Sequence, residues 1–417
     1  MARSILLPTI LFTSACVPGS GADEASDTAL GPTSTAASGD EVTEGVASSG
    51  QADGADGADG ADDADGTGGA SPSTSMGSAG STDDGSEDTD ATSGGGGMSG
   101  TIMVRDVAGL RAALLGATAG DRIVVAPGVY APEDVLEEDY AGAPRAAYFL
   151  ANASGSEQDP IRLEAEDPAN PPTLRGLTYS DSAYVLWIRG EYWQIQDLVL
   201  ERGGKGLMLD ESSHTVASRV EVYDMGDEGI HLRSGTSNAL VEDCVVESVG
   251  LNQPGFGEGL YIGSDGSQWG LYEPACHNNV IRGCTVRGTR AEGVDIKEGT
   301  EGNVVEDSDF YGGEISGENF ADSFIDLKGV DARVRNNRFY KEDNGTVTRG
   351  VAIVERPMGP TAQGNWIFDN EFFLDDANGV MVHAYAGSGN CAWDNMRTPA
   401  GDDYQGNAPE LCFEPQR

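Results

Sequence analysis

Two short stretches, Gly293-Val-Asp-Ile-Lys297 and Phe324-Ile-Asp-Leu-Lys328, each hold an acid and a base two residues apart. In an extended strand, residues i and i+2 point to the same side, so each stretch shows an aspartate and a lysine on one face and aliphatics on the other. If the two strands stack in parallel register, equivalent side chains lie about 4.8 Å apart. Asp326 then sits on Asp295, and Lys328 on Lys297. Like charges directly stacked are unfavourable, and diagonal Asp–Lys contacts offset only part of that cost. Carboxylates this close share a proton or bind a cation, and an all-oxygen ligand set suits Ca²⁺. Glu292 at the approach to the strand can add a ligand, with Glu258 and Glu228 from earlier copies. The competing reading is a solvated ladder of ion pairs, because structural networks resemble sites.

The elements that must position these residues are legible as a repeat. Seven copies of a small or turn residue followed by alternating aliphatics begin at Gly206, Gly229, Gly259, Gly293, Phe324, Gly350 and Gly379. Their spacing, roughly 23 to 34 residues, is that of a solenoid. Period-two alternation makes each copy a half-buried strand. The predicted core includes Ile230, Leu232, Leu260, Ile262, Val294, Ile296, Ile325, Leu327, Val351, Ile353, Val380 and Val382. A second column, such as Asn279-Val-Ile-Arg-Gly-Cys284-Thr-Val, follows each strand and supplies the next wall, with Asn, Gly and Asp at corners that tolerate left-handed backbone. No coil can bury its aliphatics alone, so the coils must stack. The expected fold is all-β: a single-stranded, right-handed parallel β-helix with a short N-terminal capping helix.

The outward residues run Met208/Asp210, His231/Arg233, Tyr261/Gly263, Asp295/Lys297, Asp326/Lys328, Ala352/Val354 and Met381/His383. The longest insertions flank the acid–base stretches: residues 264–278, with Trp269 and Tyr272, and residues 312–322, with Phe320. Long loops on a rigid scaffold tend to carry function. Tyr261, Trp269 and Tyr272 are therefore candidates to stack on sugar rings, although any one aromatic can equally pack over the coil.

Composition sets the boundaries. Residues 1–15 read as a signal peptide, with Arg3 and a short apolar run. Thr13-Ser-Ala-Cys16 resembles a bacterial lipobox with Thr in place of the usual Leu, which makes Cys16 a candidate for lipidation. Residues 16–100 form an acidic low-complexity tether without Lys or Arg, too poor in apolar residues to fold. Residues 101–417 are the folded domain. The whole chain carries a formal charge of −44, and the folded part holds 52 acidic side chains against 24 basic ones. That balance argues against nucleic acid as a partner. It also repels a polyanionic glycan unless a cation or local basic island intervenes. The expected protein is a monomer, secreted across the inner membrane and held at the outer membrane or cell surface by its lipid. Cys391 and Cys412 are the expected disulfide, Cys244 and Cys284 a buried thiol stack, and Cys276 is unassigned.

Asp106 can cap a helix that places Val107, Leu110 and Leu114 on one face, and Gly120-Asp-Arg-Ile-Val-Val-Ala-Pro-Gly-Val-Tyr130 follows as the first coil. The helix, the Gly-Asp-Arg-Ile-Val strand and the Ala-Pro-Gly-Val-Tyr corner resemble the N-terminal cap of right-handed parallel β-helix proteins of the pectate lyase superfamily. In such lyases a uronate polymer is cleaved by β-elimination, with Ca²⁺ neutralising the carboxylate and a Lys or Arg removing the adjacent proton. Gly293-Val-Asp-Ile-Lys297 is similar to the Asp-x-Lys strand of some of these enzymes. That resemblance implies Asp295 as calcium ligand and Lys297 as base. From position alone, Asp326 and Glu292 join the candidate metal site and Lys328 the catalytic set, while Arg233 and His231 can bind a substrate carboxylate or donate a proton. A noncatalytic glycan-binding or surface module is the main alternative, because fold does not imply activity. A glycoside hydrolase, using Asp295 and Asp326 as its carboxylate pair, is the weaker one.

Overall fold

The computed structural model describes residues 100–406; the signal peptide, Cys16, the tether and Cys412 lie outside the described residues. Strand Thr101–Val104 is followed by helix Val107–Leu115, capped by the Asp106 carboxylate, which accepts from the Gly109 amide at 2.7 Å. Leu110 and Leu114 are buried under it, and Val107 is half-buried. Beyond the cap, every strand pairing but one is parallel. The exception is a hairpin of Leu136–Tyr140 with Ala143–Ala151. No helix among the described residues is long and apolar enough to cross a membrane.

The strands stack coil on coil. Leu207 pairs with Ile230, Ile230 with Leu260, Leu260 with Val294, Val294 with Ile325, Ile325 with Val351, and Val351 with Val382. This column is one wall, an eleven-stranded sheet, and all twelve predicted core residues are buried. Each such aliphatic contributes about 1.5–3 kcal/mol by leaving water. The repeat starts with glycine for a steric reason: a Cβ on Gly229 or Gly259 would run into Val246 or Val286 from another wall and into the backbone of the next coil.

The second column is made of two walls, which gives three short strands per coil. Leu240–Glu242 and Val245–Val249 are separate strands, divided at Asp243, whose φ of 54° turns the chain. The asparagines divide their work as well. Asn238, Asn278 and Asn336 take left-handed corner backbone, as expected. Asn279, Asn303, Asn337, Asn365 and Asn370 are instead buried, with their amides bonded along the stack. Asn279 Oδ1 accepts from the Ala239 amide and Asn303 Oδ1 from the Asn279 amide, both at 2.9 Å. A parallel row runs from Ser308 through Asn337 and Asn370 to Asn395. Such rows satisfy turn amides that burial would otherwise leave unpaired.

Cys244 and Cys284 are free, buried thiols on successive coils, the expected stack. Cys276 is also buried, and burial pushes its thiol up to about 12. Cys391 is disulfide-bonded.

Candidate active site

The pairing register aligns Tyr261, Asp295, Asp326, Ala352 and His383 in one outward row. The next outward position carries Gly263, Lys297, Lys328 and Val354. Asp326 thus stacks on Asp295 as expected, but the side chains resolve the repulsion by crossing. Lys328 Nζ lies 2.9 Å from Asp295 Oδ2 and 2.7 Å from Asp326 Oδ2, and Lys297 Nζ lies 3.3 Å from Asp295 Oδ2. Lys297 does not face open solvent, as its strand position implies, and is only 3 % exposed.

These four residues line a small cleft together with Glu258, Glu292, Asn319, Phe320 and Arg356. Burial raises the Glu292 carboxyl to about 8, and the charges of Asp326 and Asp295 push the same way. At neutral pH it therefore largely keeps its proton. Burial also raises Asp326. For Lys328, burial disfavours the ammonium, yet Asp295 and Asp326 outweigh it and raise the pKa, so this lysine stays charged. Asp295 and Asp326 each keep one buried oxygen, Oδ1, with no hydrogen-bond partner. Such an acceptor is costly unless something donates to it, and a sugar hydroxyl is a suitable donor.

The arrangement does not make a calcium cradle. Ca²⁺ takes six to eight oxygens, whereas here Asp295 Oδ2 is held by two ammoniums and Asp326 Oδ2 by one. Among the described residues no cluster of three or more His, Cys, Asp or Glu is placed to hold a metal. The lysines already supply positive charge at the cleft floor.

The remaining candidates are drawn together less completely. Tyr261 is next to the centre, with Lys297 Nζ 5.1 Å from its ring centroid and the His231 ring edge-on at 4.4 Å. Its neighbour Gly263 leaves room for this, since a Cβ there would meet Thr300 at 2.7 Å and Lys297 at 3.1 Å. His231 is buried, with Nε2 bonded to the Gly263 carbonyl at 3.0 Å and Nδ1 3.5 Å from Glu228. Glu228 itself is paired with Lys205 at 2.9 Å, away from the cleft floor. Arg233 is 1 % exposed, with Nε and Nη2 on the two oxygens of Asp210 at 2.9 and 3.0 Å, and lies 3.9 Å over the Tyr272 ring. Tyr272 is buried, and its hydroxyl accepts from Arg145. Trp269 wedges between loops against Gly299 and Gly359, its indole N–H on the Ser264 carbonyl at 3.0 Å. Arg233, Tyr272 and Trp269 thus brace the walls in this conformation.

The model of the right-handed β-helix region matches residues 184–396. The chain belongs to the right-handed β-helix family. An alginate lyase from Paenibacillus sp. str. FPU-7 is 37 % identical, with a TM-score of 0.67, and the match covers 73 % of this chain and 98 % of that one. A pectate lyase of Emericella nidulans is 24 % identical over 182 residues, 43 % of this chain and 42 % of its own length, so the chain spans less than half of that relative. The pectate lyase Pel9A matches in fold, at 14 % identity, a TM-score of 0.50 and coverage of 73 % of this chain and 79 % of that one. The fold is therefore that of the pectate and alginate lyase-like members of the family, which are polysaccharide lyases.

Against this family background, the residues that sequence reasoning missed are Arg356 as a wall of the cleft and Asn319 at its rim. Arg356 comes from the loop after strand Arg349–Ile353 and bonds Asp265, 91 residues earlier, at 3.1 Å. No periodicity signals such a contact.

Proposed function

We propose that this domain is a polysaccharide lyase that cleaves a uronic-acid polymer by β-elimination, with buried lysines supplying the positive charge. The observation that carries the reading is the crossed Asp295–Lys297–Asp326–Lys328 floor of a small cleft. Lys328, held charged by two aspartates, faces the substrate carboxylate and the enolate that develops when the adjacent carbon loses its proton. Lys297, whose ammonium nitrogen lies 3.3 Å from Asp295 Oδ2, acts in its amine form as the base. Electrons from the broken carbon–hydrogen bond form the new carbon–carbon double bond, and the glycosidic carbon–oxygen bond breaks. The departing oxygen takes a proton from the Tyr261 phenol. The partnerless Oδ1 atoms of Asp295 and Asp326 accept from sugar hydroxyls and hold the ring over Lys297.

Identity of 37 % with the Paenibacillus alginate lyase along nearly its whole length favours alginate over pectate as the polymer. The purified mature chain is expected to generate unsaturated, ultraviolet-absorbing ends on alginate. A chain that yields no such product from alginate, pectate or any other uronic polymer is not a lyase, and the noncatalytic glycan-binding module replaces it. The same proposal places the enzyme at the cell envelope as a lipoprotein through Cys16. Cys16→Ser is expected to move it from the membrane fraction to the soluble one, and a wild type already soluble outside the cell removes the anchor.

A further inference from the structure

The cleft has two walls of different origin. Because the strands of this sheet run parallel, the loop of residues 312–322 enters at the N-terminal end of strand Ser323–Leu327, whereas the loop of residues 354–361 leaves at the C-terminal end of strand Arg349–Ile353. They therefore rise from opposite edges of the sheet, one bearing Phe320 and the other Arg356, and both residues line the cleft over the lysines.

Phe320 is 58 % exposed, and its backbone is strained. Asn319 and Phe320 have consecutive φ values of 53° and 65°, a left-handed pair without glycine that persists only where its surroundings impose it. Asn319 provides one restraint, donating from Nδ2 to the Gly255 carbonyl at 3.1 Å across to a neighbouring loop. The outcome is a large apolar ring presented to a polar cleft.

Arg356 is held on the opposite edge with equal care. Its guanidinium contacts Asp265 at 3.1 Å and Glu298 at 3.8 Å. Its amide donates to Thr361 Oγ1 at 3.2 Å, and that hydroxyl in turn donates to the Lys328 carbonyl at 2.6 Å. The position of Arg356 is thus coupled to the strand end that carries Lys328. A planar guanidinium is suited to paired contacts with a carboxylate. A purely bracing role, joining Asp265 to Glu298, is the competing account.

We infer that Phe320 and Arg356 form a subsite for an acidic sugar next to the lysine centre, with the phenyl ring against the sugar face and the guanidinium on its carboxylate. This rests on the reading of the cleft as a uronate site, and it adds that the polymer must carry acidic sugars in consecutive positions.

The test uses the full mature chain carrying Lys297→Ala, titrated calorimetrically with a saturated tetrauronate, in parallel with turnover by wild type. Arg356→Gln in that background is expected to weaken binding by about tenfold or more, the scale of a hydrogen-bonded charge contact, and Phe320→Ala by about fivefold, as for a lost stacking contact. Thermal midpoints identify any variant that fails to fold. If Arg356→Gln does so, Arg356→Lys decides, because it keeps the charge toward Asp265 while losing the planar fork, and weakened binding is again expected. Binding within twofold of the parent for both Phe320→Ala and the folded arginine variant overturns the subsite. If wild type cleaves no polymer while the parent binds and the arginine variant does not, the subsite stands and the lyase reading falls. If wild type cleaves and the parent does not bind the tetrauronate, the subsite falls and the lyase reading stands.

Discussion

Two ion-pair clusters lie on the same outward face of the same wall, and they differ in what is left over. At Asp210–Arg233, both carboxylate oxygens and two guanidinium nitrogens meet in a closed bidentate pair beneath Tyr272. At Asp295–Lys328, two carboxylates and two ammoniums cross, each aspartate keeps a buried oxygen with no donor, and the cluster opens into a cleft. A closed pair rigidifies, because every group that left water has found a partner. A cluster with unmet acceptors is costly by itself and is explained best by a ligand that completes it. What separates these cases is the count of unmet groups.

Four experiments bear on that difference. Lys297→Ala is expected to lower kcat by about 10²–10⁴-fold, the range for a lost general base, with the fold retained because Asp295 keeps Lys328 as partner. Steady-state kinetics beside a circular-dichroism melt will show it, and full activity places the base elsewhere. Arg233→Ala should do the reverse, costing about 3–5 kcal/mol of stability by stranding Asp210, while turnover per folded molecule holds. Denaturant titration measures the first and active-site-normalised kinetics the second. A stable but inactive variant would move Arg233 into the catalytic set.

The third concerns pH. The Glu292 carboxyl has an ordinary value of 4.5 and a folded value of about 8. Between those values the folded state holds a proton that the unfolded state has released, so stability falls as pH rises through the window. Glu292→Gln should flatten this dependence, seen as denaturation midpoints at about pH 5 and about pH 8 that converge. An unchanged slope assigns the titration to another group. The smallest expected effect is none: chelation with EDTA should leave turnover unaltered. Loss on chelation with recovery on added Ca²⁺ would restore the calcium reading.

The fold was largely legible because period-two alternation and a coil-length repeat are local properties, and Leu260, Val294 and Ile325 announced their wall unaided. Less was legible where burial depends on distant chain. Lys297 sits at an outward strand position and is nonetheless buried, beside the Tyr261 ring and Asp295. Arg356 reaches the cleft through partners far off in sequence. The Asn-rich stretches were read as corners, yet the division between their two walls falls at Asp243, whose left-handed backbone no hydropathy pattern records. The diagonal Asp–Lys contacts were legible, but their strength was not, because stacking rules give the distance between equivalent Cα atoms and leave open where a four-carbon lysine stem carries its charge.

The buried amide rows act as a ruler for the stack. Each asparagine bridges to the previous coil, so a coil cannot slip by one residue without breaking its count. In the row that runs through Asn279, Asn303, Asn365 and Asn390, the rung between Asn303 and Asn365 is Ala332, whose amide donates to Asn365 Oδ1 at 2.9 Å. That rung belongs to the coil bearing Asp326 and Lys328. Along this row the gauge therefore skips a mark at the coil that must keep its lysine in step with the one before.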